Sequence, residues 1–167
     1  HVVMLQRSPT YVVSGPSEDA LNKFLRKILP VKLTYFLIRW KNILYQSFTF
    51  FMARKYPERT KNKILELAKN ELGPEYDIDK HLTPSYKPWD QRICLVPDSD
   101  LFAAINDKKA SIVTDTIKEI QSNGVLLNSG ESIEADVIIT ATGIELNALN
   151  DINVSIDDVK VNPNERL

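Results

Sequence analysis

HLTPSYKPWDQRICLVPDSDLFAAI, residues His81–Ile105, followed later by DVIITATG, residues Asp136–Gly143, is the part of the chain on which the fold reading turns. Pro88-Trp89-Asp90-Gln91-Arg92 crowds a proline, an aromatic ring, a carboxylate, an amide and a guanidinium into one short loop. Such a loop can hold a cation in a fixed place, which an anionic ligand requires. Val137–Thr140 is a continuous apolar run, and that pattern predicts a fully buried parallel strand. The run ends in small residues, Ala141-Thr142-Gly143, where backbone can approach a ligand closely and Gly143 permits a tight turn.

Working outward, Val2–Leu5 reads as another buried strand, closed by the polar turn Gln6-Arg7-Ser8-Pro9. Ser17 is the expected N-cap of a first helix, with Glu18 and Asp19 in its first turn, and apolar spacing continues to Pro30. From Val31 to about Lys55, Leu33, Phe36, Leu37, Trp40, Leu44, Phe48 and Phe51 recur in steps of three and four, making one face of a long amphipathic helix. Core packing is the favoured use of that face. A membrane-surface role is the alternative, because basic and aromatic residues alternate there. A spanning helix is excluded, since it needs about twenty predominantly apolar residues and charges interrupt this stretch.

Glu58–Leu72 predicts a third helix, with Ile64, Ala68 and Leu72 on one side and a stop at Gly73-Pro74. The next segment is proline-spotted and suits a site-forming loop. Ser111–Asp115, Ile117–Gln121, Val125–Leu127 and Ser132–Ile133 read as short strands, with turns at Asn123-Gly124 and Ser129-Gly130. Strand, helices, loop, hairpins and buried strand in this order predict an α/β fold.

Net charge is −1, which gives no support to a nucleic-acid partner. One cysteine, Cys94, excludes an internal disulfide and suits a reducing, cytoplasmic setting; among Ile93 and Leu95 it reads as a buried inert thiol. With only His1 and His81 beside it, no metal-ligand spacing is assembled. The chain opens on histidine inside an apolar run and ends in NPNERL, so it reads as a piece of a larger protein. Its five glycines never fall in a Gly-x-Gly-x-x-Gly spacing.

Arg7 and Ser8 follow a strand end, where dinucleotide-binding folds place ligands, and offer a guanidinium fork and a hydroxyl to a phosphate. Arg92 has two readings: a cation for a ligand, or a structural arginine paired with Asp90 or Asp98. Trp89 reads as core packing in preference to a stacking platform.

The loop at Pro88–Arg92 together with Ala141-Thr142-Gly143, in this order, resembles the NADPH-dependent flavoprotein monooxygenases of the Baeyer–Villiger and flavin-containing type, over nearly the whole chain. HLTPSYKPWDQRICLVPDSDLF with the aromatic helix before it is similar to the branch that includes the ethionamide-activating monooxygenase. The resemblance implies part of an NAD(P)-binding Rossmann-like domain of a two-dinucleotide-domain flavoprotein. It implies a strand and turn of the NADPH domain at 1–16, a helical insertion at 17–74, a return to that domain at 75–143, and a link towards the FAD domain from 144–167.

Its implied cofactors are FAD and NADPH, and its implied reaction uses O2, through a flavin peroxide, to insert oxygen into a ketone, sulfide or amine. This piece alone would be inactive. Arg92 would serve the reduced and oxygenated flavin, and Gln6, Arg7, Ser8, Gln91, Arg92, Thr142 and Gly143 would contact cofactor. Gln91 stands where relatives often carry a basic residue, and Ile144 where most carry an aromatic. Two further readings stand beside this one: an interaction or membrane-surface module built on residues 31–55, and a disulfide-reductase-like flavoprotein segment. The second would need a redox cysteine pair, which this region lacks.

Overall fold

The structure is a computed structural model that describes residues 1–143 and 154–161. Strand β1 (Val2–Gln6) lies parallel to β4 (Ala110–Thr114), and β2 (Tyr11–Gly15) parallel to β3 (Ile93–Pro97). Between the partners of these pairs run helices α1 (Ala20–Leu25), α2 (Val31–Lys55), α3 (Pro57–Leu72), α4 (Ile78–His81) and α5 (Asp100–Asn106). Parallel neighbours cannot be joined by a tight turn, so helix-bearing crossovers are what this pairing demands. An antiparallel meander, β5 (Ile117–Gln121), β6 (Gly124–Leu127) and β7 (Ser132–Glu134), follows, and a small hairpin, β8 (Val154–Ile156) with β9 (Val159–Val161), closes the described chain. The mixture of helix and parallel strand is the expected α/β class.

One core serves both parallel pairs. Val12, Ala68, Ile78, Leu82, Phe102 and Ile112 are buried together, with Met4, Cys94 and Val96 packed against them. Each large aliphatic or aromatic side chain fully withdrawn from water there contributes roughly 1.5–3 kcal/mol. Cys94 is half-buried at the edge of this cluster, in a strand the sequence had not disclosed. Strand β2 and helix α5 were likewise unforeseen. Each is only a turn or two long, and β2 follows a proline-containing turn that hides where it begins.

Helix α3 shows why its residues fold as they do. Pro57 stands at its first position, Glu58 in its first turn and Lys69 in its last, and Gly73 ends it at φ +85°. Ile64 and Ala68 are buried and Leu72 packs beside them. The small Ala68 lets the helix lie close on β2. Gly124 is needed where β6 begins: at φ +150°, an added Cβ would stand 2.0 Å from the Ile133 carbonyl oxygen.

Four expectations are corrected. Asp19, not Ser17, caps α1: its carboxylate accepts from the Leu21 and Asn22 amides, while Ser17 donates its own amide to Asp98. The helix begins at Ala20, so the cap position falls on Asp19, two residues beyond Ser17. Val137–Thr140 is not a buried strand; it is irregular, and Val137 and Ile139 are 75% and 86% exposed. An apolar run becomes a strand only beside another, and no neighbour takes its backbone hydrogen bonds among the described residues.

The face of α2 expected to pack in the core lies outside it. Leu33, Phe36, Leu37, Trp40, Leu44, Phe48 and Phe51 are all exposed, and the residues of α2 that are buried, Thr34 and Ala53, are not among them. Trp89 is 46% exposed, its ring edge-on to Phe50, because its own backbone turns left-handed at φ +67° and carries the ring out of the core. The link expected over 144–167 falls largely outside the described residues, as does Ile144.

Candidate functional site

Tyr11 opens β2 opposite Ile93 of β3, so the residues just before each strand, Thr10 and Arg92, are neighbours. Thr10 Oγ1 donates to the Arg92 carbonyl at 3.3 Å, and Tyr86 Oη donates to the same oxygen at 3.2 Å. The Thr10 and Tyr86 hydroxyl oxygens also lie 2.9 Å apart, so the two hydroxyl protons are divided among these three contacts. Beneath them the buried Tyr11 donates its hydroxyl to the Tyr86 carbonyl at 2.7 Å and packs edge-on against the Tyr86 ring at 5.4 Å. Burial, with Tyr86 beside it, pushes the Tyr11 phenol up, so it stays a neutral donor at physiological pH. Pro84 and Pro88 are fully buried and pin the loop from below. The backbone of Arg92 is therefore held at several points.

Its side chain is committed to no partner among the described residues. Arg92 is exposed, and its guanidinium makes no hydrogen bond or ion pair among the described residues. The two carboxylates that could have made it structural are engaged elsewhere: Asp90 pairs with Arg54, and Asp98 accepts from Ser17. Those bonds to Ser17 hold the Asp98 carboxyl below the usual aspartate range. A fixed backbone carrying an unpaired cation is what an anion-binding position requires. Gln91, bridged to Pro88, is exposed on the same turn.

Arg7 and Ser8 are exposed in the turn between β1 and Thr10, at the carboxyl end of the parallel β1/β4 pair. The Thr10–Arg92 contact brings this turn and the Arg92 loop to one region. Gln6 has a different role. Its amide nitrogen donates to the His81 carbonyl at 2.7 Å and to Thr114 Oγ1 at 2.9 Å, and His81 Nδ1 lies 2.9 Å from the same hydroxyl. Gln6 thus braces β1, β4 and α4, with its donor capacity spent. Burial, and then Lys80, hold the His81 imidazole below the usual histidine range, so it is neutral at pH 7.

Thr142 and Gly143 are exposed beyond β7, with Gly143 at φ +108° and open space where a side chain would stand. No hydrogen bond ties them to the Arg92 loop among the described residues. The groove between α1 and α2, about 340 Å³ and bordered by Arg26, Tyr35, Arg39 and Gln46, is lined by none of the expected site residues. The tyrosines that carry the loop, Tyr11 and Tyr86, went unforeseen. Tyr86 lies inside the segment singled out from the sequence, but nothing local to it reveals a bond to a strand far back in the chain.

The chain has sequence relatives over nearly its whole length. FAD-containing monooxygenase EthA of Mycobacterium tuberculosis is 45% identical over 161 residues, 96% of this chain and 33% of that protein. The chain is homologous to FAD-containing monooxygenases. The protein named "Probable FAD-binding monooxygenase AlmA" of an Acinetobacter species is 41% identical over 167 residues, all of this chain and 33% of its own length. EthA of Mycolicibacterium smegmatis is 44% identical over 146 residues, 87% of this chain and 30% of that protein. The chain therefore spans about a third of the length of these monooxygenases. No family model and no solved structure matches it.

Proposed function

We propose that this chain is the nicotinamide-side third of a flavin monooxygenase, and that Arg92 is its principal functional residue. The observation that carries the reading is the uncommitted Arg92 guanidinium on a backbone held by Thr10 and Tyr86. The parallel pairs belong to an NAD(P)-binding Rossmann-like domain, with α1 and α2 as a helical insertion. Arg7 and Ser8, at the carboxyl end of β1, bind the 2′-phosphate of NADPH; a guanidinium and a hydroxyl fit a phosphate in charge and donor number. Thr142 and Gly143 present small, exposed backbone that a cofactor can approach. The chain's five glycines include no pyrophosphate loop, so that loop belongs to the rest of the protein.

When bound, FAD supplies the oxygen activation, and the substrate is a ketone, a sulfide or an amine. Arg92 acts by placing a fixed positive charge beside the negative charge that develops in the site. A preorganised donor of this kind typically contributes a few kcal/mol to the barrier. Tyr11 and Tyr86 position it and do not touch the reacting atoms.

The test separates the two arginines in the full-length protein. Arg7→Ala weakens NADPH binding and narrows its advantage over NADH, by about ten- to a hundredfold for a lost charge-assisted contact of roughly 1.5–3 kcal/mol. Arg92→Ala abolishes oxygenated product while slower NADPH oxidation continues and ends in hydrogen peroxide. NADPH loss and product are followed in the same reaction. A colourless full-length protein, or intact oxygenation in Arg92→Ala, overturns the assignment.

A further inference from the structure

We propose that the outward face of α2 docks on an anionic lipid surface, lying in the plane of the bilayer. The proposal goes beyond the monooxygenase reading and does not depend on it. The stripe from Leu33 to Phe51 occupies roughly a third of the helix circumference, at 3.6 residues per turn, and every member of it is exposed. Thr34 and Ala53, the buried residues of α2, lie outside the stripe, and Val31, Tyr35, Tyr45 and Phe50 on other faces of the helix are exposed as well. Phe24 of α1 and Ile28, which precede α2, are exposed too. A contiguous apolar surface of this kind marks an interaction site.

Charge selects the occupant. Of the chain's 21 lysines and arginines, eight fall between Ala20 and Lys55, while none of its 22 aspartates and glutamates does. The remainder of the chain is correspondingly acidic, although the whole is nearly neutral. Lys32 and Arg39 border one edge of the stripe and Lys41 the other, as helical spacing requires. Lys41 is tied to Asp19 and Arg54 to Asp90, which leaves Lys32, Arg39 and Lys55 free of carboxylates among the described residues.

A convex helix, aromatic and aliphatic on its outer face and flanked by cations, matches the interface of an anionic bilayer. It asks for no complementary groove, as a protein partner would. Two copies meeting face to face would oppose like charges. No helix of the described residues is long and apolar enough to cross a membrane, so the helix lies on the surface and does not traverse it.

The experiment is flotation of the 167-residue chain with vesicles of mixed phosphatidylglycerol and phosphatidylcholine, against phosphatidylcholine alone, at low and high salt. With Trp89→Phe as background, Trp40 is the remaining tryptophan, and its emission reports insertion. Expected are co-flotation with the anionic vesicles, a blue shift of Trp40, and loss of both at high salt. Phe36→Ser with Phe48→Ser should lower partitioning at least tenfold, and Lys32→Gln and Arg39→Gln about fivefold each. Circular dichroism checks that each variant stays folded. Val137→Ser with Ile139→Ser, which removes exposed apolar surface elsewhere, should change nothing.

The proposal is overturned if the chain stays with the soluble fraction, or if the Val137/Ile139 control reduces flotation as much. It also fails if sedimentation shows a self-associated species that buries Trp40 in the presence of vesicles. Flotation of the 167-residue chain that disappears in the full-length protein would assign the face to the remaining two thirds of that protein, and would equally overturn it.

Discussion

Helices α2 and α3 are joined at Tyr56 and share one kind of sequence pattern, yet they use it in opposite ways. α3 buries Ile64 and packs Ala68 and Leu72 into the core with residues of β2 and α5, while α2 leaves its larger and more aromatic stripe exposed. The break between them has a local cause, because Pro57 disfavours helical backbone at Tyr56, which sits at φ −130°. What separates their fates is not local. α3 presents a small residue where a strand passes beneath it; α2 presents rings where nothing in the described chain passes. Periodicity specifies that a helix has an apolar side, and only a neighbour decides whether that side is core.

The largest expected effect lies on the buried member of the pair. Ile64→Ala deletes methylenes of a buried side chain and should destabilise the chain by about 2–5 kcal/mol in urea unfolding. A loss under about 0.5 kcal/mol would mean α3 is no better packed than α2, and the comparison would collapse. Next comes the anchor of the Arg92 loop. Tyr11→Phe leaves the Tyr86 carbonyl without its donor inside the protein and should cost about 1–3 kcal/mol. The same variant should disturb NADPH-dependent activity of the full-length protein without touching cofactor. If stability falls while activity holds, the loop is not positioned through Tyr11.

Much of this was legible in the sequence where the governing interactions are local. The limits of α2 and α3, the stop at Gly73 and the meander turns all follow from proline, glycine and asparagine acting within a few residues. The Pro88–Arg92 loop was legible as a proline-marked loop, but not the left-handed turn at Trp89 that carries its ring outward. What stayed hidden depends on distant partners. Gln6 looked like a ligand until His81 and Thr114 were seen to occupy it, and Ser17 looked like a cap until the helix was seen to begin at Ala20. Val137–Thr140 has the composition of a buried strand but no strand beside it. Arg92 changed most in weight: both candidate carboxylates proved to be taken, which no reading of neighbours in sequence reveals.

A pH series sharpens the contrast from the core side. The His81 imidazole sits below its ordinary range, so in the folded chain it resists a proton that the unfolded chain accepts. Stability is therefore full above the ordinary histidine value, about 6.5, and declines as pH falls from there towards the lower folded value. His81→Gln should flatten that part of the profile, measured by thermal unfolding between pH 7.5 and 5.5. Equal slopes in the two proteins would show that His81 is not held neutral by packing against Tyr76 and Thr114. Asp19, Asp98 and Asp115, all held low by hydrogen bonds, add their loss only at more acid pH, so the windows do not overlap.

The smallest expected effect is the one on which the comparison most depends. Phe48 sits mid-stripe on α2 and is 61% exposed, so Phe48→Ser removes little buried surface. The serine lowers helix propensity by no more than a few tenths of a kcal/mol. Net stability should therefore change by less than about 0.5 kcal/mol, against several for Ile64→Ala on the neighbouring helix. Urea unfolding of both variants under one set of conditions decides it, with the slope checked for equality so that the unfolded state is not the cause. A cost near 2 kcal/mol for Phe48→Ser would place that ring in a packed environment, so that α2 and α3 would be two buried helices of one core. A null result would leave α2 with an apolar face that the described chain does not use.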